Sequence, residues 1–329
     1  MLIHQIHINT FDKPIFFALF RSYKKQNMKK ITQSIGMMLI LLISFSGIAQ
    51  ETKIPIDNKV KIGKLANGLT YYIRQNKKPE QKVELRLVIN AGSVLEDDDQ
   101  QGLAHMCEHM AFNGTKNFKK NDIVSFLQSI GVGFGNDLNA YTSFDETVYM
   151  LPIPTDKPGN VEKGFQVLED WAHNVTYLDD DIEGERNIIL EESRLGKGAE
   201  DRMFRKVYPI LFEGSKYANR LPIGVDSIIK THKYETIRRF YKDWYRPNLM
   251  AVVVVGDIDV VQAEAYIKKH FEGLTNPVNE RPRVNTVVPA YTKNTGLIAT
   301  DKEATATTDK IPPTRPDRSA CCANCSSVV

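Results

Sequence analysis

The sequence predicts an α+β fold, a mixed and mainly antiparallel sheet packed against helices. Two observations carry this. Residues 68–76 and 82–90 alternate apolar and polar side chains, and MAVVVVGDID (250–259) is a continuous apolar run ending in a turn; all three read as strands. Stretches of helical spacing lie between and after them, without the regular strand–helix alternation of a doubly wound parallel sheet.

The elements follow in order. GLTYYIRQN (68–76) and KVELRLVIN (82–90) are strands joined through Lys77–Gln81, with Pro79 in the connection. A helix is predicted from about Gly102 to Phe112, closed by Asn113-Gly114, a common helix stop. In 121–130, Ile123, Phe126, Leu127 and Ile130 share one helical face, and the glycine-rich turn GVGFGN (131–136) follows. NAYTSFDETVYMLPIP (139–154) reads as a hairpin whose second arm is Thr147–Ile153. Val161, Phe165, Leu168 and Trp171 recur at helical spacing in 159–175. Asp179–Asp181 can cap a helix running to about Leu195. Further helical patterns cover Ala199–Phe212, Glu235–Trp244 and Gln262–Phe271.

Hydrophobic content of 42% and charged content of 25% fit a globular protein, and 329 residues suffice for one large domain or two ordinary ones. The formal charge of +3 is small, and no Lys/Arg block with interleaved aromatics occurs, so nucleic acid is not an expected partner. Met28-Lys29-Lys30, the apolar run 35–45 and the small residues Gly47 and Ala49 compose a secretory signal peptide over 28–49. Its apolar run is shorter than the roughly 20 residues of a membrane span, so no stable span is expected after cleavage. Residues 1–27 read as an upstream extension from a start codon set too early. The folded domain is expected over 54–285, a linker into a truncated second domain over 286–308, and an anomalous disordered tail over 309–329. That tail holds Cys321, Cys322 and Cys325, too few ligands for a structural zinc site.

Chemistry concentrates in HMCEH, residues 105–109. On a helix, residues three and four apart share a face, so His105, Glu108 and His109 project together. Imidazoles at i and i+4 can both reach one divalent ion, with Glu108 beside its water; this is the inverted form, HxxEH, of the HExxH zinc helix. Catalytic zinc also needs a third protein ligand and an open position. IEGERNIILEESR (182–194) supplies it: Glu185 and Glu192 are two turns apart and face the same way, with Ile188 and Ile189 marking a partly buried surface. Glu192 is the expected third ligand, with Glu185 behind it, outside the ligand set. Glu183 and Glu191 read as the solvated side of that helix. Cys107 points away from the His-Glu-His face and is expected in the core, not as a nucleophile.

With these residues in hand, the chain resembles the insulinase/pitrilysin family of zinc metallopeptidases, the inverzincins, in its secreted bacterial members. GLAHMCEHMAFNGT (102–115), preceded by Gly92, is similar to the family's zinc-helix signature, and ERNIILEE to its downstream acidic helix. NAYTSFDETVY (139–149) resembles the segment that supplies the edge strand where substrate docks, which implies Asn139 and Ala140 as substrate-binding positions. YRPNLMAVVVVGDID (245–259) resembles a late block on the core sheet. The resemblance implies a pitrilysin-type metallopeptidase domain, one Zn2+ per chain held by His105, His109 and Glu192, Glu108 as general base, and peptide substrates. It also implies a homologous C-terminal half or partner subunit, because the family closes a chamber with further domains. The expected activity is a periplasmic zinc metalloendopeptidase; the alternative is a non-catalytic peptide-binding or scaffold subunit of the same fold, which would be expected to have lost a zinc residue.

Overall fold

The computed structural model describes residues 55–133, 139–157, 159–290 and 296–305. The extension 1–27, the signal segment 28–49 and the tail 309–329 lie outside the described residues, as do residues 134–136 of the glycine-rich turn. No helix among the described residues is long and apolar enough to cross a membrane.

Among the described residues, six strands form one sheet: β1 (Lys61–Lys64), β2 (Thr70–Gln75), β3 (Lys82–Ile89), β4 (Asn139–Thr142), β5 (Thr147–Pro154) and β6 (Met250–Gly256). Their order is β1-β2-β6-β3-β5-β4. Only β2 and β6 run parallel; the other neighbours are antiparallel, so the sheet is mixed and mainly antiparallel as predicted. β6, last in sequence, inserts between β2 and β3. Its long apolar run suits that central place: Met250, Val252 and Val254 are buried and the intervening residues partly covered.

Among the described residues, eight helices pack with the sheet: α1 (Leu103–Met110), α2 (Asp122–Ser129), α3 (Asn160–His173), α4 (Asp179–Gly196), α5 (Ala199–Leu211), α6 (Asp226–Thr231), α7 (Tyr234–Trp244) and α8 (Val260–Phe271). α3 packs on β3 and β5 and α8 on β2, covering the face that carries Ile73, Val83, Leu85 and Leu87. α1 instead packs against α4, α7 and β4, toward one end of the sheet.

Three differences from the sequence reading have physical causes. β1, with sequence KIGK, is mostly exposed and shows no buried alternation, so only its pairing with β2 makes it a strand. α6 is six residues long, too short to display a helical period. Asp179–Asp181 do not cap α4 from outside: Leu178 is the N-cap and the three acids fill the first turn, where the positive end of the helix dipole favours them. There Asp181 pairs with Lys120 at 3.0 Å and Asp179 with Arg238.

Candidate active site

An eight-residue helix is marginal by itself, so α1 depends on its surroundings. Leu103, Ala104, Met106, Cys107 and Met110 are buried, which pins one side of the helix and turns His105 and His109 toward α4. Cys107 lies in the core as expected, with its thiol pKa pushed up by burial. At the far end of α1, the indole Nε1 of Trp171 donates to the carbonyl of Ala111 at 3.0 Å.

α4 is fastened by Arg186, whose guanidinium donates to the carbonyls of Ile229 and His232 at 2.6 Å each. Ile182, Glu185, Ile189 and Ser193 share its buried face. Ile188, read from sequence as part of that face, is half exposed; helical geometry turns it one residue's rotation away from Ile189. Glu183 and Glu191 sit on the solvent side, paired with Arg186 and Arg194.

The two helices bring His105, His109 and Glu192 together. Oε2 of Glu192 lies 3.7 Å from Nε2 of His105 and 3.6 Å from Nε2 of His109, and the donor atoms of all three lie within 4.8 Å of one another. These separations exceed hydrogen-bonding reach. Two donors held about 2.0–2.1 Å from one tetrahedral ion would stand roughly 3.3–3.4 Å apart, so the set fits a zinc ion in spacing as well as in chemistry.

Glu185 lies behind His109. Its Oε2 is 3.1 Å from Nδ1 of His109, and its Oε1 accepts from Nδ2 of Asn113 at 2.6 Å. Burial pushes the Glu185 pKa up, but these two hydrogen bonds outweigh it and hold the carboxyl below its usual range. Burial together with the charge of His109 takes His105 down to about 3, so its imidazole is neutral, the form a metal requires. Nδ1 of His105 is buried and has no partner.

Glu108 is also buried, and burial lifts its pKa to about 7 against the opposing hydrogen bond from Thr142. That bond runs from Oγ1 of Thr142 to Oε2 of Glu108 at 2.5 Å. Thr142 ends β4, the outermost strand on its side of the sheet, which also carries Asn139 and Ala140. Sequence reasoning missed Thr142 and the second role of Asn113. Asn113 was visible only as a helix stop, and nothing local marked Thr142.

Comparison with known proteins fits this geometry. The family model described as insulinase (Peptidase family M16) matches residues 71–221, and the model of the Peptidase M16 inactive domain matches residues 232–308. The chain belongs to the insulinase family of peptidases, M16. The probable zinc protease PqqL of Haemophilus influenzae is 40% identical over 255 residues, covering 77% of this chain and 27% of that protein. The PQQL-like zinc protease of Arabidopsis thaliana is 43% identical over 211 residues, covering 64% of this chain and 22% of that protein. The chain therefore spans about a quarter of the length of these relatives. The crystal structure of the first half of the periplasmic protease PqqL from Escherichia coli superposes with a TM-score of 0.68 at 37% identity, covering 72% of this chain and 51% of that one. The mixed sheet and its helices are thus those of the pitrilysin-type fold.

Proposed function

We propose that the chain carries the catalytic zinc site of a metalloendopeptidase acting on peptides or unfolded segments. The observation supporting this is the convergence of His105, His109 and Glu192 from two helices, with Glu108 on the same helix as the histidines. His105, His109 and Glu192 would hold one zinc ion per chain, their Nε2, Nε2 and Oε2 atoms being the ones that face one another. A zinc ion there would supply a Lewis acid for the peptide carbonyl and a bound water with its pKa lowered from about 15.7 toward about 7.

The chain's own residues handle the proton. Thr142 occupies Oε2 of Glu108, leaving Oε1 to take a proton from the attacking water and pass it to the leaving nitrogen. A pKa near 7 suits both halves of that transfer. Glu185 keeps the His109 proton on Nδ1, so Nε2 presents its lone pair. Asn139 and Ala140, on the outermost strand β4, offer backbone groups to which an extended peptide adds as a further strand.

The reading also includes a homologous C-terminal half or partner subunit, supported by the greater length of the relatives. Within it, residues 54–285 form the peptidase domain and 286–308 lead to the next. A periplasmic location is supported by the signal-like segment 28–49 and by the Escherichia coli relative being described as periplasmic.

Zinc content by mass spectrometry and cleavage of a quenched peptide library test the proposal, on the chain alone and with a homologous C-terminal half added. One zinc per chain with cleavage is expected, and Glu108→Gln should keep the zinc and lose turnover. Cleavage by that variant at the parent rate would remove Glu108 from its role. Zinc without cleavage in both preparations would favour the non-catalytic peptide-binding subunit.

A further inference from the structure

α1 begins without the side chain that usually caps a helix. Its N-cap is Gly102, in the left-handed region at φ +100°, which offers the exposed amides no acceptor. The acceptor comes from six residues upstream. Oε1 of Glu96 takes hydrogen bonds from the amides of Gly102 at 3.0 Å and Ala104 at 2.8 Å. Ala104 directly precedes His105.

Glu96 is fully buried and is itself held in place. Its carbonyl accepts from Nε of Arg220 at 3.2 Å and Nζ of Lys216 at 3.3 Å. Ser93, three residues before it, donates Oγ to the carbonyl of Arg220 at 2.6 Å. The same short segment fixes the turn between β4 and β5: the amides of Ser93 and Val94 donate to the carbonyls of Ser143 and Phe144 at 3.1 and 2.9 Å. A Cβ on Gly92 would lie 2.3 Å from the Ser143 carbonyl oxygen, so this approach requires glycine. The metal helix and the strand bearing Asn139, Ala140 and Thr142 therefore rest on one buried support.

Oε2 of Glu96 is buried with no partner. An unpaired buried polar atom costs stability, and position 102 has no room for a Ser or Asp cap in its place: φ there is +100° and a Cβ would lie 3.0 Å from the Cα of Gly224. Glu96 is therefore the group that reaches the start of α1, where position 102 cannot carry a cap of its own.

We propose that Glu96 is a positioning residue for the metal site. Through the amides of Gly102 and Ala104, its carboxyl sets where α1 starts, and so the rotation at which His105 and His109 meet Glu192. This rests on the reading of those three residues as zinc ligands.

The test compares Glu96→Gln, Glu96→Asp and Glu96→Ala in the full chain. Zinc affinity is measured by competition with a chromogenic chelator, cobalt-substituted protein by its visible absorption, and zinc-free protein by thermal unfolding. Gln keeps both the reach and an acceptor oxygen, so its zinc affinity should stay within about threefold of the parent. Asp keeps the acid but falls one methylene short; Asp and Ala should each lose about 10–100-fold, the scale on which residues supporting a ligand act. Their cobalt spectra should shift while Gln leaves the spectrum unchanged. If Ala does not fold, Asp carries the comparison. Parent-like affinity and an unshifted spectrum in a folded Asp or Ala variant would overturn the proposal. His105→Ala separates the two readings: zinc binding that survives it would overturn the ligand assignment and this proposal with it.

Discussion

The carboxyl of Glu185 meets Nδ1 of His109 at 3.1 Å, and that contact decides which ring nitrogen faces Glu192. With its Nδ1 proton bonded to Glu185, a neutral His109 would present the Nε2 lone pair toward Glu192, 3.6 Å from its Oε2. Glu185→Gln keeps the shape and removes the charge. It should weaken zinc binding by about 10–100-fold, read by chelator competition. Unchanged affinity would mean that His109 is oriented by packing alone.

Thr142 joins the outermost strand to Glu108, so its removal should be felt in turnover and not in metal content. Thr142→Val leaves Oε2 of Glu108 without its 2.5 Å donor. A hydrogen bond to a charged group is worth about 1.5–3 kcal/mol, so kcat/KM should fall by about 10–100-fold with zinc unchanged. Thr142→Ser, which keeps the hydroxyl, should recover most of the loss. Equal loss in both variants would assign the effect to strand packing.

How much of this was legible in the sequence depends on distance along the chain. His105, Glu108 and His109 sit within five residues, and Glu185 and Glu192 within eight, so helix geometry alone puts each set on one side of its helix. The sheet class was legible because β2, β3 and β6 carry long apolar patterns. What stayed hidden depends on contacts between distant segments. Thr142 and Glu108 are 34 residues apart and Asn113 and Glu185 are 72 apart. The cap from Glu96 was hidden for another reason: it comes from outside the helix, where capping patterns are not sought.

Trp171 should stabilise α1 from its far end. It is fully buried, stacks on Tyr149 at 5.1 Å between ring centroids, meets Phe112 edge-on at 5.3 Å, and donates to the carbonyl of Ala111. Trp171→Ala should cost about 3–5 kcal/mol by denaturant unfolding. Trp171→Phe should cost less, because it keeps most of the packing and loses the hydrogen bond. A loss near zero for Ala would mean that the neighbouring rings collapse into the space.

Glu96 should make the stability of the zinc-free protein fall as pH rises. Burial pushes its pKa from 4.5 up to about 8, against the amide bonds from Ala104 and Gly102 and the charges of Arg220 and Lys216. An acid whose folded pKa lies above its unfolded value binds its proton more readily when folded. Its contribution is therefore fully present below about 4.5 and is lost as pH rises through about 8. Glu96→Gln is neutral throughout and lacks this slope. Unfolding free energies of parent and variant, measured at intervals from pH 5 to pH 8.5, should diverge in favour of the variant toward the alkaline end. Parallel curves across that range would show that Glu96 is ionised in the folded protein, its carboxylate held by the two amides and the nearby cations.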